Sequence, residues 1–223
     1  MTQGKGAQYG EGLFDSAGQM DPFSFEKAAR SSGACLVAGI DEAGRGPLAG
    51  PVVAAAVILP EGCIIENLTD SKKLSPKQRD RLSTEIQEKA LAWEVGVSDA
   101  ALIDQINILE ATRRAMESAV ARMALQPDYL LIDAVTIVTD IPQKGIVKGD
   151  MLSHSISAAS VIAKVTRDRI MESCHHIYPE YNFHKHKGYG TQEHRDKIRV
   201  HGPCPIHRKT FRCVREYCGN RSS

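Results

Sequence analysis

The period of the apolar residues changes several times along this chain. "CLVAGI" (35–40) and "GPVVAAAVIL" (50–59) are short continuous apolar runs, rich in β-branched residues and bounded by glycines. Runs of that length and texture predict two neighbouring strands of one sheet, joined here by a tight turn at Gly44 to Pro47. After "DSKKLSPKQRDRL" the apolar positions take helical spacing to about Leu91, and "WEVGVS" returns to strand texture. "INILEATRRAMESAVARM" repeats its apolar residues every three or four positions and predicts a long helix, "DYLLIDAV" a further strand, and "SISAASVIAKVTRDRIMESC" a second long helix. This order predicts an α/β layered domain with a mixed central β-sheet flanked by helices. Residues 1–33, rich in Gly, Ser and Gln and without a sustained period, are expected to form a flexible N-terminal tail. The domain is expected over 34–212, with 213–223 as a C-terminal tail.

Composition narrows the picture modestly. A chain of 223 residues, 42% hydrophobic and 25% charged, suffices for one globular domain with a real core. The net charge of +1 gives no global field that attracts nucleic acid, so any such binding must come from local clusters of Lys and Arg. Six scattered cysteines form no regular framework, no secretory signal opens the chain, and no apolar stretch approaches the roughly 18 residues that span a bilayer. The expectation is a reduced, cytoplasmic protein that contacts no membrane.

The chemistry begins where strands end. "LVAGIDE" and "YLLIDA" are apolar strands that finish in acid, at Asp41 and Asp133, and Asp150 in "VKGDMLSHS" precedes the serine-rich helix. An isolated Asp at a strand end is ordinarily a turn former or a cap; it is the combination that points to a site. Side chains alternate along a strand, so Asp41 and Glu42 face one spot only if the strand ends or bulges there. Clustered carboxylates cannot all stay ionised without cations, and hard oxygen ligands suit Mg²⁺ or Mn²⁺, which implies metal-assisted phosphoryl transfer. Asp70 and Asp168 stand in equally plausible places, with Asp70 expected to cap or orient Ser71 and Lys72.

Ser153, Ser157, Ser160, Lys164 and Asp168 form one polar stripe on the last long helix, opposite Ile156, Ala159, Ala163 and Ile170. Such a stripe is often a solvated face; its hydroxyls and single lysine also fit a ridge facing phosphates. Basic clusters occur around Lys72, Lys73, Lys77 and Arg79 and in "HKHKGYGTQEHRDKIRVHG" and "HRKTFRCVR". Gly188-Tyr189-Gly190 lets an aromatic ring approach a sugar or base, unless Tyr189 is simply a core aromatic. A metal site from His184, His186 and His194 is disfavoured for want of matching ligands, and Cys204, Cys213 and Cys218 read as ordinary thiols.

Taken in order, "GIDEAGRGPLAGPVVAAAVIL", "DSKKLSPKQR", "INILEAT", "LLIDA", "KGDMLSHSISAASVIAKVTRDR", "KGYGT" and "HGPCPIHRKTF" resemble bacterial ribonuclease HII, the type 2 ribonuclease H. The resemblance runs from about Cys35 to Phe211. It implies a ribonuclease H-like fold with a small helical C-terminal extension, and an endonuclease that hydrolyses the RNA strand of RNA–DNA hybrids. It also implies incision 5′ of ribonucleotides embedded in duplex DNA, leaving a 3′-hydroxyl and a 5′-phosphate, as suits primer removal and ribonucleotide repair. The family's four acids fall on Asp41, Glu42, Asp133 and Asp150. With two cations, Asp41 would bridge both, Glu42 and Asp133 would serve the leaving-group side and Asp150 the water side. Gly44, Arg45 and Gly46 match the segment that holds the junction between ribonucleotide and deoxynucleotide. Tyr189 matches the tyrosine that stacks on the deoxyribose, and Lys72, Lys73 and Lys164 match phosphate-contacting positions. The family commonly has glycine where this chain has Ala134. A monomer is expected.

Two other classes compete. Ribonuclease HIII usually carries an N-terminal binding domain and a glutamate at the fourth acidic position, where this chain has Asp150. A non-catalytic nucleic-acid-binding module would explain the basic clusters but not four acids among them, which repel phosphate unless metal is present.

Overall fold

The apolar runs do build one sheet, and it has five strands. The computed structural model describes residues 21–68, 71 and 74–218. The strands are β1 (Val37–Ala43), β2 (Val52–Ile58), β3 (Ala92–Ser98), β4 (Tyr129–Asp133) and β5 (Gln143–Ile146), in the order β3-β2-β1-β4-β5. β1, β2 and β3 are antiparallel neighbours, while β1, β4 and β5 run parallel, so the sheet is mixed as predicted. β5, "QKGI", carries no apolar pattern, and only Ile146 is buried.

Eight helices accompany the sheet among the described residues: α1 (Ser24–Ser31), α2 (Pro76–Lys89), α3 (Ala100–Arg122), α4 (Gly149–Leu152), α5 (His154–Ile177), α6 (Phe183–His186), α7 (Gln192–His201) and α8 (Arg212–Arg215). α3 covers one face, setting Ala115, Met116, Ala119 and Val120 against Ala38, Ile40, Ala54 and Ile132. α2 and α5 cover the other with Leu82, Ile86, Ala158, Ala159 and Ile162 against Ala55 and Val57. Each fully buried aliphatic side chain contributes roughly 1.5–3 kcal/mol, so the two layers hold the sheet chiefly by apolar burial. A β-carbon on Gly39 would lie 2.1 Å from the carbonyl carbon of Ser155, so the start of α5 sits directly on β1. A third core of Leu48, Met171, Tyr181, Phe183, Ile198, Cys204 and Val214 is the small helical C-terminal extension.

Local sequence explains where the helices start. Ser75 Oγ accepts from the Gln78 N–H while Gln78 Oε1 accepts from the Ser75 N–H, and Pro76 occupies the first helical position of α2. α3 breaks at Asn107, whose φ is +69°. Asn107 Oδ1 there accepts from the N–H groups of Leu109 and Glu110, which restarts the helix where the "INILEA" pattern predicts its beginning.

Three expectations are corrected. The connection from β1 to β2 is not a tight turn but the loop of residues 44–51. The flexible tail does not reach residue 33, because α1 buries Ala29 and Glu26. Glu26 Oε1 accepts from Ser153 Oγ (2.6 Å), Ser155 Oγ (2.6 Å) and Ser155 N–H (3.0 Å), placing a carboxylate at the N-terminus of α5. Phe25 and Ala29 supply the apolar side of α1, too few residues to show a period. The rest of that predicted tail, residues 1–20, lies outside the described residues. At the other end, Val214 is fully buried in the third core, beyond the boundary expected at 212.

Candidate active site

The acids meet because β1 and β4 are parallel and in register at Ile40 and Ile132. The next residues, Asp41 near the end of β1 and Asp133 at the end of β4, stand side by side at the carboxyl edge where α/β sheets place ligands. Asp41 lies on the α5 face and is 4% exposed. Its Oδ1 accepts from the Glu42 N–H at 2.7 Å, and the Ser160 hydroxyl donates to the same carboxylate. Burial above all, then the charges of Glu42 and Asp133, hold its carboxyl well above the usual range. β1 neither bulges nor ends at Glu42, since its pairing with β2 is regular through Ala43. Glu42 therefore leaves the strand on the opposite side and reaches Asp41 through its charge, which does not require a shared face. Asp133 Oδ1 accepts from the Gly149 N–H at 2.7 Å, and this bond ties α4, with the buried Asp150, to the end of β4. Among the described residues no three His, Cys, Asp or Glu side chains converge as a closed metal cage. The donor set nevertheless fits a hard divalent cation: oxygens only, with one buried carboxyl whose pKa is raised by burial and by two neighbouring carboxylates.

Beside the acids lies the loop of residues 44–51. Two fully buried arginines hold it by its carbonyls. Arg167 donates from Nε to Pro51 O (3.0 Å) and from Nη2 to Ala49 O (3.2 Å). Arg208 donates from Nε to Gly50 O (3.0 Å), from Nη1 to Arg45 O (2.8 Å) and from Nη2 to Gly44 O (2.5 Å). These bonds offset the cost of burial, which lowers the pKa of both guanidiniums, that of Arg208 to about 9. Gly44 has φ +99°, and a β-carbon there would fall 2.0 Å from Arg167 Nε, so its glycine serves packing. Arg45 and Gly46 are exposed, and nothing lies within 4 Å of a β-carbon built on Gly46. Arg45 Nη1 is 3.4 Å from Glu42 Oε1, which joins the loop to the acids.

Tyr189 is 44% exposed and is not a core aromatic. Lys164 Nζ and Arg167 Cζ lie 5.9 and 5.7 Å from its ring centre. Gly188, at φ +84°, has its carbonyl bonded by the Leu48 N–H at 2.8 Å, and a β-carbon there would meet Ala49 O at 2.4 Å. Tyr189 is thus set directly against the 44–51 loop. Lys164 donates to Asp168 Oδ1 at 2.7 Å, and burial lowers its pKa.

The serine stripe does not form an open ridge. Ser153, Ser157 and Ser160 are buried, with their hydroxyls engaged by Glu26, by the Asp150 carbonyl and by Ser71 respectively. The stripe reaches the site at Ser160, through its bond to Asp41, and at Lys164 beside Tyr189. Lys72, Lys73 and Asp70 lie outside the described residues. His184 is exposed against the His175 ring, whereas His186 and His194 stack at 4.4 Å in the third core. All six cysteines are free thiols. No helix among the described residues is long and apolar enough to cross a membrane.

The family model for Ribonuclease HII matches residues 38–214. The chain belongs to the ribonuclease HII family. Members of that family are endonucleases that hydrolyse RNA in RNA–DNA hybrids. The chain is 55% identical over 206 residues to ribonuclease HII of Geobacter metallireducens, covering 92% of this chain and 97% of that one. It is 53% identical over 194 residues to that of Bacillus subtilis, covering 87% and 76%. Among solved structures, ribonuclease H2 of Pyrococcus horikoshii superposes with a TM-score of 0.69 at 28% identity, covering 82% and 97% of the two chains. Bst-RNase HIII in complex with Mn²⁺ shares the fold, with a TM-score of 0.63 at 20% identity over 90% and 74%.

Arg167 and Arg208 are the residues around this ribonuclease HII site that the sequence did not single out. Arg167 follows Lys164 by three on α5, which is the one periodic signal it offers; Arg208 sits inside a basic run that reads as surface.

Proposed function

We propose that the chain incises 5′ of single ribonucleotides in duplex DNA as well as within RNA–DNA hybrids, leaving a 3′-hydroxyl and a 5′-phosphate. Asp41, Glu42, Asp133 and Asp150 would hold the divalent cations, Mg²⁺ or Mn²⁺. When bound, such ions activate water and neutralise charge at the scissile phosphate. The observation that carries this reading is the buried Asp41 carboxyl beside Glu42 and Asp133: burial first, and then their charges, raise its pKa, and a cation would compensate all three. Arg45 and the open backbone at Gly46 would meet the phosphate and 2′-hydroxyl of the ribonucleotide, with Tyr189 stacking on the neighbouring deoxyribose. Lys164, and Lys72 and Lys73 of the family motif, would contact phosphates. A cytoplasmic monomer acting in primer removal and ribonucleotide repair completes the reading.

The test is cleavage of a duplex holding one ribonucleotide, with Mg²⁺ or Mn²⁺ and with chelator. Metal-dependent incision at the 5′ side is expected. Asp133→Asn should abolish it while leaving duplex binding largely intact, since its amide oxygen still accepts from Gly149. Near-normal activity of that variant in saturating Mg²⁺ would overturn the metal assignment.

A further inference from the structure

Three buried imidazoles, His186, His194 and His207, lie in the third core with a partner at every ring nitrogen. His207 Nδ1 accepts from the Cys204 N–H at 2.9 Å, so that nitrogen carries no proton. Its proton is therefore on Nε2, donated to His194 Nε2 at 3.0 Å. His194 must then hold its own proton on Nδ1, which faces the Tyr189 carbonyl at 2.9 Å. A carbonyl only accepts, so the assignment closes from both ends without conflict. His186 follows the same logic: Nδ1 accepts from the Gly188 N–H at 3.2 Å and Nε2 donates to Tyr181 O at 2.8 Å. Burial keeps the rings neutral, pushing His194 down to about 4 and His207 to about 3.

The same C-terminal segment also fixes the loop beside the acids. His207 forms an isolated β-bridge with Ala49, the Arg208 N–H donates to Leu48 O at 2.9 Å, and the Arg208 side chain holds the carbonyls of Gly44, Arg45 and Gly50. One short stretch therefore sets the height of Tyr189 on one side and of the glycine loop on the other. We propose that His194, its tautomer set by His207 in a hydrogen-bonded relay, is a positioning residue: its Nδ1–H bond to the Tyr189 carbonyl fixes that main chain relative to the 44–50 loop, and so sets how well the enzyme distinguishes an isolated ribonucleotide in DNA from a continuous hybrid. This rests on the reading of Tyr189 given above. Displacements of about 1 Å in a group that aligns substrate are enough to change rate strongly, whereas a purely structural role would depress both activities alike.

The test compares kcat/KM on a duplex with one ribonucleotide and on a continuous hybrid, with folding checked by thermal melting. His194→Leu keeps the volume and removes the donor; His194→Asn keeps an amide N–H where Nδ1 stood. The single-ribonucleotide to hybrid ratio is expected to fall about threefold to tenfold in the Leu variant, the scale of one lost hydrogen bond, and to stay within about twofold of the parent in the Asn variant. Tyr189→Ala should lower the ratio too, and adding it to His194→Leu should lower it no further. If Tyr189→Ala leaves the ratio unchanged, the stacking role fails and the relay fails with it. If Tyr189→Ala lowers the ratio while His194→Leu does not, or Asn fails to rescue, the relay is overturned and the stacking role stands. Should His194→Leu not fold, nitrogen NMR of the unaltered enzyme decides: the relay requires the protons on His207 Nε2 and His194 Nδ1, and a His194 proton on Nε2 overturns it.

Discussion

Asp41 and Asp133 stand side by side on parallel strands, one residue beyond the registered pair Ile40 and Ile132. Their proximity makes stability depend on pH and metal together. The Asp41 pKa is raised, by burial first and then by Glu42 and Asp133, so the folded state binds more protons than the unfolded chain. The resulting stabilisation is complete below the ordinary value of 3.8 and is lost as pH rises through the folded value. A divalent cation should cancel that loss. The rise in Tm on adding Mg²⁺ should therefore grow as pH is raised above the ordinary carboxyl value of 3.8, and Asp41→Asn should flatten the trend. An equal Mg²⁺ shift at every pH above that value in the unaltered enzyme would refute the account.

Arg208→Met keeps most of the packing but leaves the carbonyls of Gly44, Arg45 and Gly50 without their donor. A loss of about 3–5 kcal/mol is expected, on the order of 10 °C in Tm for a chain of this size. Limited proteolysis should then open the chain within 44–51. A melting point within about 2 °C of the parent would mean that the arginine does not hold the loop.

Glu26→Ala should cost about 1–3 kcal/mol, because Ser153 Oγ, Ser155 Oγ and the Ser155 N–H lose their shared acceptor. Deleting residues 1–32 should lower Tm by at least as much. Denaturant midpoints measure both, and unchanged midpoints would show that α1 does not dock.

Ala134 has φ +56°, in the left-handed region. The β-carbon costs about 1–2 kcal/mol there, partly offset by the greater freedom of glycine in the unfolded chain. Ala134→Gly is expected to stabilise by about 0.5–1 kcal/mol, a rise of roughly 2 °C that calorimetry can resolve. A drop in Tm would show that the strain is absent.

Much of the site was legible because acids at the ends of apolar runs break the local pattern, as Asp41 and Asp133 do, and because a glycine-enclosed tyrosine is unusual on any element. The parallel pairing that brings the two aspartates together is tertiary and left no mark on the runs themselves. α1 was missed because two apolar residues do not make a period, and β5 because its side chains are mostly exposed. Arg167, Arg208 and the three histidines were illegible for a different reason. Charged and polar residues read as surface, and only the loop carbonyls and ring nitrogens opposite them show that they are interior.

Synthesis adds an ordering to the capture of Gly44, Arg45 and Gly50 by Arg208. The acids at 41 and 42 and the loop beside them leave the ribosome long before residue 208, and domains settle as whole units when the remaining chain arrives. Until then the loop lacks both its guanidinium and the bridge from His207 to Ala49. A nascent chain that has not reached residue 208 thus carries the acids at 41 and 42 without the bonds that hold the loop beside them.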